Sequence, residues 1–253
     1  MDFSVFVPYT LLPWQWVLWI CFGLCIGLLK AGVFGINVIF LPIMALIFGA
    51  RESTGIIVLL YCFADLFAVL YYRRYAEWKY ILRLLPWALA GFVVAILVER
   101  SIPVQAFRYL MGGCIIAGII VLIWNERMGK DKPPPSKWWF SAFFGMGGGF
   151  ATMISNNAGA FLAVFLLSMR LPKNIFVGTA AWFYLIINYS KLPIQIFIWE
   201  NITVQTVLFA STVVPMVIAG FILGIFLVKK ISESLYRKAI IALTLMSTVL
   251  LFI

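Results

Sequence analysis

Apolar residues run through this chain in long blocks. Segments 54–72, 81–98, 105–125, 174–199, 203–228 and 235–253 are each apolar over about the 20 residues that a helix needs to cross a bilayer, and each predicts one helix. Two blocks break the rule. Residues 14–48 are too long for one ordinary span and are interrupted by Lys30-Ala-Gly-Val-Phe-Gly35. Residues 138–169 repeat the pattern, interrupted by Thr152-Met-Ile-Ser-Asn-Asn-Ala-Gly159. Both interruptions set helix-weakening residues and polar groups in mid-segment. A polar linker from Arg127 to Lys137, with three successive prolines, separates two halves of the chain.

The halves resemble each other. A shift of 129 positions brings Pro86 onto Pro215, Gly91 onto Gly220, Phe92 onto Phe221, Ile96 onto Ile225 and Arg108 onto Arg237, without a gap. The broken segments correspond at a slightly different shift, with Arg51 near Lys173. An internal duplication with interrupted helices at matching places is a sequence pointer to a transporter's binding site. The expected organisation is a first repeat over 1–126, a linker over 127–137 and a second repeat over 138–253.

Composition fixes the environment. Hydrophobic residues make up 64% of the 253 and charged residues 11%, against roughly 25% charged in soluble domains. So few charges do not cover a water-exposed surface, whereas lipid accepts apolar side chains. An all-α polytopic membrane protein is the expected fold class. The N-terminus MDFSVFVPYT lacks a basic region followed by a cleavage site, so the first apolar segment is expected to remain in the mature protein. The net charge of +10 would suggest nucleic acid in a soluble protein. Here the basic residues sit in short loops, where membrane topology accounts for them, and no nucleic-acid partner is expected.

Those loops set the orientation. Arg73, Arg74, Lys79 and Arg83 lie in one, Arg127, Lys130, Lys132 and Lys137 in the linker, and Lys229, Lys230, Arg237 and Lys238 in a third. Eight simple spans would place the third loop opposite the other two. All three face the cytoplasm if 14–48 and 138–169 are re-entrant hairpins, which makes each half a broken-helix hairpin plus three transmembrane helices. The halves are then inverted repeats, and both termini are periplasmic. Eight spans with parallel repeats is the rival topology.

The interruptions carry the candidate chemistry. Thr152, Ser155, Asn156 and Asn157 are hydrogen-bonding groups in an apolar run, and in lipid each must find a partner. Unwound backbone and a half-helix N-terminus suit an anion. The competing reading is helix–helix packing by small and polar residues. Lys30, beside Gly32 and Gly35, is a functional candidate as a lysine deep in the membrane, unless it snorkels to an interface. Asn188 and Lys191 are three apart and share a helix face. With Thr179 they would complete an anion pocket, or Lys191 lies at an outer interface. Asp65 is a carboxylate inside a span, either the counter-ion of a lysine or a site for a coupling proton or cation. Arg108 and Arg237 read as interface anchors.

Other chemistry is poorly supported. Cys21, Cys25, Cys62 and Cys114 all lie in apolar segments and read as packing residues rather than a redox or metal set. There is no histidine, and no phosphate-binding loop or nucleophile pair is present. Neither enzymatic activity nor a cofactor is expected.

Gly27-Leu-Leu-Lys-Ala-Gly-Val-Phe-Gly35 with Pro42, Gly149-Phe-Ala-Thr-Met-Ile-Ser-Asn-Asn-Ala-Gly159, Pro172-Lys-Asn-Ile-Phe-Val-Gly-Thr-Ala-Ala-Trp182 and Asn188-Tyr-Ser-Lys-Leu-Pro193 resemble the TauE/SafE family of sulfite-exporter-like permeases. The resemblance spans essentially the whole chain. It implies export of sulfite, sulfoacetate or another organosulfonate across a bacterial inner membrane. It also implies four spans per half, where the loop charges give a hairpin plus three. The leading expectation is a secondary transporter working by alternating access. An anion channel and a non-transporting scaffold subunit are the alternatives. The expected partners are the small anion, membrane lipid, a coupling proton or cation, and a second copy of the chain.

Overall fold

The computed structural model describes residue 9 and residues 11–33, 40–98, 137–156 and 158–249. Among the described residues the chain is helical and has no strand. The first half contains α1 (Pro13–Lys30), α2 (Phe40–Phe48), α3 (Ala50–Tyr72), a single 3-10 turn (Arg73–Tyr75) and α4 (Trp78–Val98). The second contains α5 (Trp138–Ser155), α6 (Gly159–Ser168), α7 (Lys173–Phe197), α8 (Val204–Ser211), α9 (Val214–Lys230) and α10 (Glu233–Val249). The expected helix over 105–125 and most of the linker lie outside the described residues.

Among the described residues four helices are long and apolar enough to cross a membrane, and α8 with α9 makes a fifth span if counted together. That pair corrects one expectation. Segment 203–228 is not one helix but two, bent by 49°. Pro215 lies in the first turn of α9, where its missing N–H costs nothing and its fixed φ suits a helix start. Thr212 at the bend accepts the indole N–H of Trp19 at 3.1 Å.

Both long interrupted segments do break. Helix α1 ends in a Schellman motif: Gly32 N–H bonds Leu29 O, and Val33 N–H bonds Leu28 O. Gly32 has φ +117°, the conformation that a glycine reaches without strain. Helix α5 runs further than its polar residues suggest, since Thr152 to Ser155 stay helical. It stops at Asn156, which adopts the left-handed conformation at φ 55°, one that asparagine tolerates better than most residues. The chain then folds back. Phe140 meets Phe165 at 5.8 Å and Phe144 meets Phe161 at 6.4 Å, so α6 runs antiparallel to α5. In the first half Trp19 meets Phe48 and Phe22 meets Phe40, and α2 likewise turns back along α1.

Two glycine seams hold the bundle. A Cβ on Gly27 would overlap Val217 O, and one on Gly220 would overlap Leu24 O. This brings α1 and α9, which run parallel, into backbone contact. The same contact joins α4 and α5: a Cβ on Gly149 would overlap Ala88 O, and one on Gly91 would overlap Met146 O. Gly27 and Gly149 are 122 positions apart, as are Leu24 and Met146, while Gly91 and Gly220 differ by 129. Small residues let helices approach closely where burial against lipid supplies no hydrophobic drive.

Between the seams α3 and α7 cross antiparallel. Thr54 meets Gln195 at one end, Asp65 meets Asn188 in the middle, and Glu77, just after α3, meets Thr179 at the other end. The polarity of the molecule is inside out. Leu97 is 73% exposed and Phe226 59%, while Asp65 and Lys191 are fully buried. Such a surface belongs in a bilayer.

Candidate functional site

The centre of the bundle holds two lysines. Lys30, in the last turn of α1, reaches Asp65 on α3 with Nζ to Oδ1 at 2.6 Å. Its ammonium also sits 4.5 Å from the ring centroids of Tyr61 and Tyr184, within range of a cation–π attraction to each. Tyr61 lies one turn before Asp65 on α3, and Tyr184 one turn before Asn188 on α7. A buried cation thus receives one full counter-charge and two aromatic faces.

Lys191 on α7 has a different environment. Its ammonium donates to Thr152 O at 2.9 Å, to Thr152 Oγ1 at 3.2 Å and to Asn156 Oδ1. These are neutral oxygens at the C-terminus of α5, where the helix dipole offers a partial negative charge. Among the described residues no carboxylate pairs with Lys191. Lys30 thus has an ionic partner in Asp65, whereas Lys191 has neutral acceptors.

Asn188 stands between the two centres. Asn188 Nδ2 donates to Asp65 Oδ2 at 2.6 Å, and Asn188 shares a face of α7 with Lys191. On the far side Asn156 Nδ2 donates to Thr54 O at 3.1 Å. Thr54 Oγ1 in turn lies 3.5 Å from Gln195 Oε1 and accepts from Asn201 Nδ2 at 3.0 Å. Asn188 Oδ1 and Gln195 Nε2 in this network are buried with no hydrogen-bond partner among the described residues. Each such group costs about 1–3 kcal/mol.

The tip of α1 is fastened separately. Tyr72 OH donates to Ala31 O at 3.0 Å and Tyr236 OH to Gly32 O at 2.9 Å. These bonds serve carbonyls that the helix end leaves open.

Of the residues singled out in the sequence, Lys30, Asp65, Thr152, Asn156, Asn188 and Lys191 come together in this core. Gly32 adjoins it as the helix stop. Thr179 does not join them: it lies nine residues before Asn188, about 13 Å along the helix, and its hydroxyl accepts Glu77 N–H at 3.0 Å. Gly35, Asn157 and the side chain of Ser155 lie outside the described residues. Arg108 and Cys114 also lie outside them, whereas Arg237 donates to Leu167 O at 3.2 Å. Sequence reasoning passed over Thr54, Tyr61, Tyr184, Gln195 and Tyr236. Three of these carried a signal, because Tyr61, Tyr184 and Gln195 each stand four residues from a polar position already singled out on the same helix.

Helices that present apolar surface outward and enclose cations, a carboxylate and amides at a break define a membrane permease. The chain belongs to the sulfite exporter TauE/SafE family, whose model it matches over residues 19–251. That family is one of membrane transporters. No curated protein and no solved structure matches the chain.

Proposed function

We propose that the protein is a secondary transporter that exports a small sulfur-containing anion, such as sulfite, sulfoacetate or another organosulfonate, across the bacterial inner membrane by alternating access. The observation that carries this reading is Lys191. It is fully buried and its charge is answered only by neutral oxygens, so an anion entering the core supplies the missing counter-charge. Thr152, Asn156 and Asn188 surround it as hydrogen-bonding groups, and Lys30 is released for binding whenever Asp65 turns to another partner or takes up a coupling proton. Ser155, Asn157, Gly32 and Gly35 complete the two breaks around this centre.

The halves 1–126 and 138–253 act as inverted repeats joined by a cytoplasmic linker over 127–137, with both termini periplasmic. The antiparallel crossing of α3 and α7 and the matched glycine seams support this arrangement. A test of topology is membrane-impermeant labelling of single cysteines placed at Lys137 and Glu200; labelling of both from the same side rejects it.

The functional test is flux of sulfite and sulfoacetate in proteoliposomes of the full chain. Wild type is expected to concentrate the anion against its own gradient, driven by an imposed gradient of the coupling ion, and Lys191→Met to lose transport. A channel of similar selectivity is the second reading. It passes current without concentrating substrate, and burial of Lys30, Asp65 and Lys191 away from solvent favours the carrier.

A further inference from the structure

Gln195 lies one turn beyond Lys191 on the buried face of α7 and has no exposed surface. Its Oε1 meets the Thr54 hydroxyl at 3.5 Å, while Nε2 has no hydrogen-bond partner among the described residues. Thr54 ties this amide to the cation. The Thr54 carbonyl accepts from Asn156 Nδ2, and Asn156 Oδ1 accepts from Lys191. A lysine with neutral acceptors and an amide with unused N–H groups thus border the same corner of the core. Helix positions four apart hold their Cβ atoms about 5–6 Å from each other, a spacing that one oxyanion bridges with two of its oxygens.

The polar trail continues past Gln195. Asn201 N–H donates to Gln195 O at 3.1 Å and its side chain to Thr54 Oγ1. Asn201 is half-buried and neighbours the exposed Glu200. Gln195 therefore stands between the dry lysine and the open end of α7. As a packing residue it makes little sense, because a methionine of similar volume would fill the space without an unused donor.

We propose that Gln195 is a substrate-binding residue whose side-chain amide donates to the oxyanion attracted by Lys191, on the route between that lysine and the Asn201 end of α7. The inference rests on the transport reading above and assigns a second donor to the same site. The first of its oxygens would face Lys191 and another Gln195 Nε2, so an anion offering several acceptor oxygens is favoured over a halide.

The test uses the full chain in proteoliposomes with sulfite and sulfoacetate, comparing wild type, Gln195→Met, Gln195→Glu and Lys191→Met. The expected result is a Gln195→Met protein with an unchanged melting temperature, a preserved maximal rate and a KM raised about tenfold, the loss of one hydrogen bond to a charged group. Gln195→Glu keeps the shape but turns a negative charge toward the anion, and its KM rises further. Chloride competes equally well in wild type and Gln195→Met. If Gln195→Met does not fold, the KM of Gln195→Glu gives the reading. A wild-type KM in either folded Gln195 variant, with transport lost in Lys191→Met, overturns the inference alone. Absence of flux in wild type, or normal flux in Lys191→Met, overturns the transport reading and this inference with it.

Discussion

Asn188 donates to Asp65 across the α3–α7 crossing at 2.6 Å, which sets this amide between the two lysine centres. Asp65 spends one oxygen on Lys30 and the other on Asn188. Asn188 in turn stands one turn from Lys191. A change at Lys30 or at Asn188 therefore acts on Asp65 directly.

Replacing Asp65 by asparagine leaves Lys30 buried without a counter-charge. Removing one partner of a buried ion pair costs about 3–5 kcal/mol, so the melting temperature in detergent should fall substantially. Removing both members, as Asp65→Leu with Lys30→Met, should recover much of the loss, because two apolar groups need no pairing. An Asp65→Asn protein that melts with wild type would show that the pair contributes nothing.

Lys191→Met is expected to separate stability from activity. The substitution removes a buried ammonium but also takes the donor from Thr152 O and Asn156 Oδ1, so the two effects offset and the melting temperature should change little, while anion flux disappears. Thermal unfolding and vesicle flux on one preparation check this. A collapse in stability would instead assign the lysine a purely structural role as the cap of α5.

Tyr236→Phe takes the hydroxyl from Gly32 O and leaves a buried carbonyl without its donor. The expected loss is about 1–3 kcal/mol, read as a lower melting temperature. Tyr72→Phe, which frees Ala31 O, should cost a similar amount. A pair of variants with unchanged melting would mean that other groups serve the tip of α1.

Gly27→Val and Gly149→Val press a branched side chain into the backbone of the partner helix. Overpacking typically costs about 1–3 kcal/mol, and contact with backbone rather than a flexible side chain puts these at the upper end or beyond. Yield of folded protein and melting temperature should fall by similar amounts in both, since the two positions make matching contacts. A tolerated valine at either position would refute the close approach.

Much of this fold is written in the sequence. Long apolar blocks give helices α3, α4 and α7 nearly to their ends, and Lys30 with Gly32 marks the first break. The second break is shorter than its composition suggests. Thr152 and Ser155 are compatible with helix, and only the left-handed Asn156 ends it. Proline was an uncertain guide. Pro86 and Pro193 sit inside continuous helices, whereas Pro215 opens one. Residue type alone does not separate these cases, because a proline is tolerated in a membrane helix only where its surroundings allow it. The site shows the same division. Lys30, Asp65 and Lys191 stand out because charge in an apolar run is costly. Thr54 and Tyr236 do not, since their roles come from chain brought together over more than a hundred residues.

Gly27 with Gly220, and Gly149 with Gly91, lock their helices so tightly that each pair behaves as one thick plank. A plank of this kind cannot slip against itself by a fraction of a turn. The joint where α3 and α7 cross is fastened instead by polar side chains, at Thr54–Gln195, Asp65–Asn188 and Glu77–Thr179. On the alternating-access reading, the dovetailed glycines direct movement to that joint.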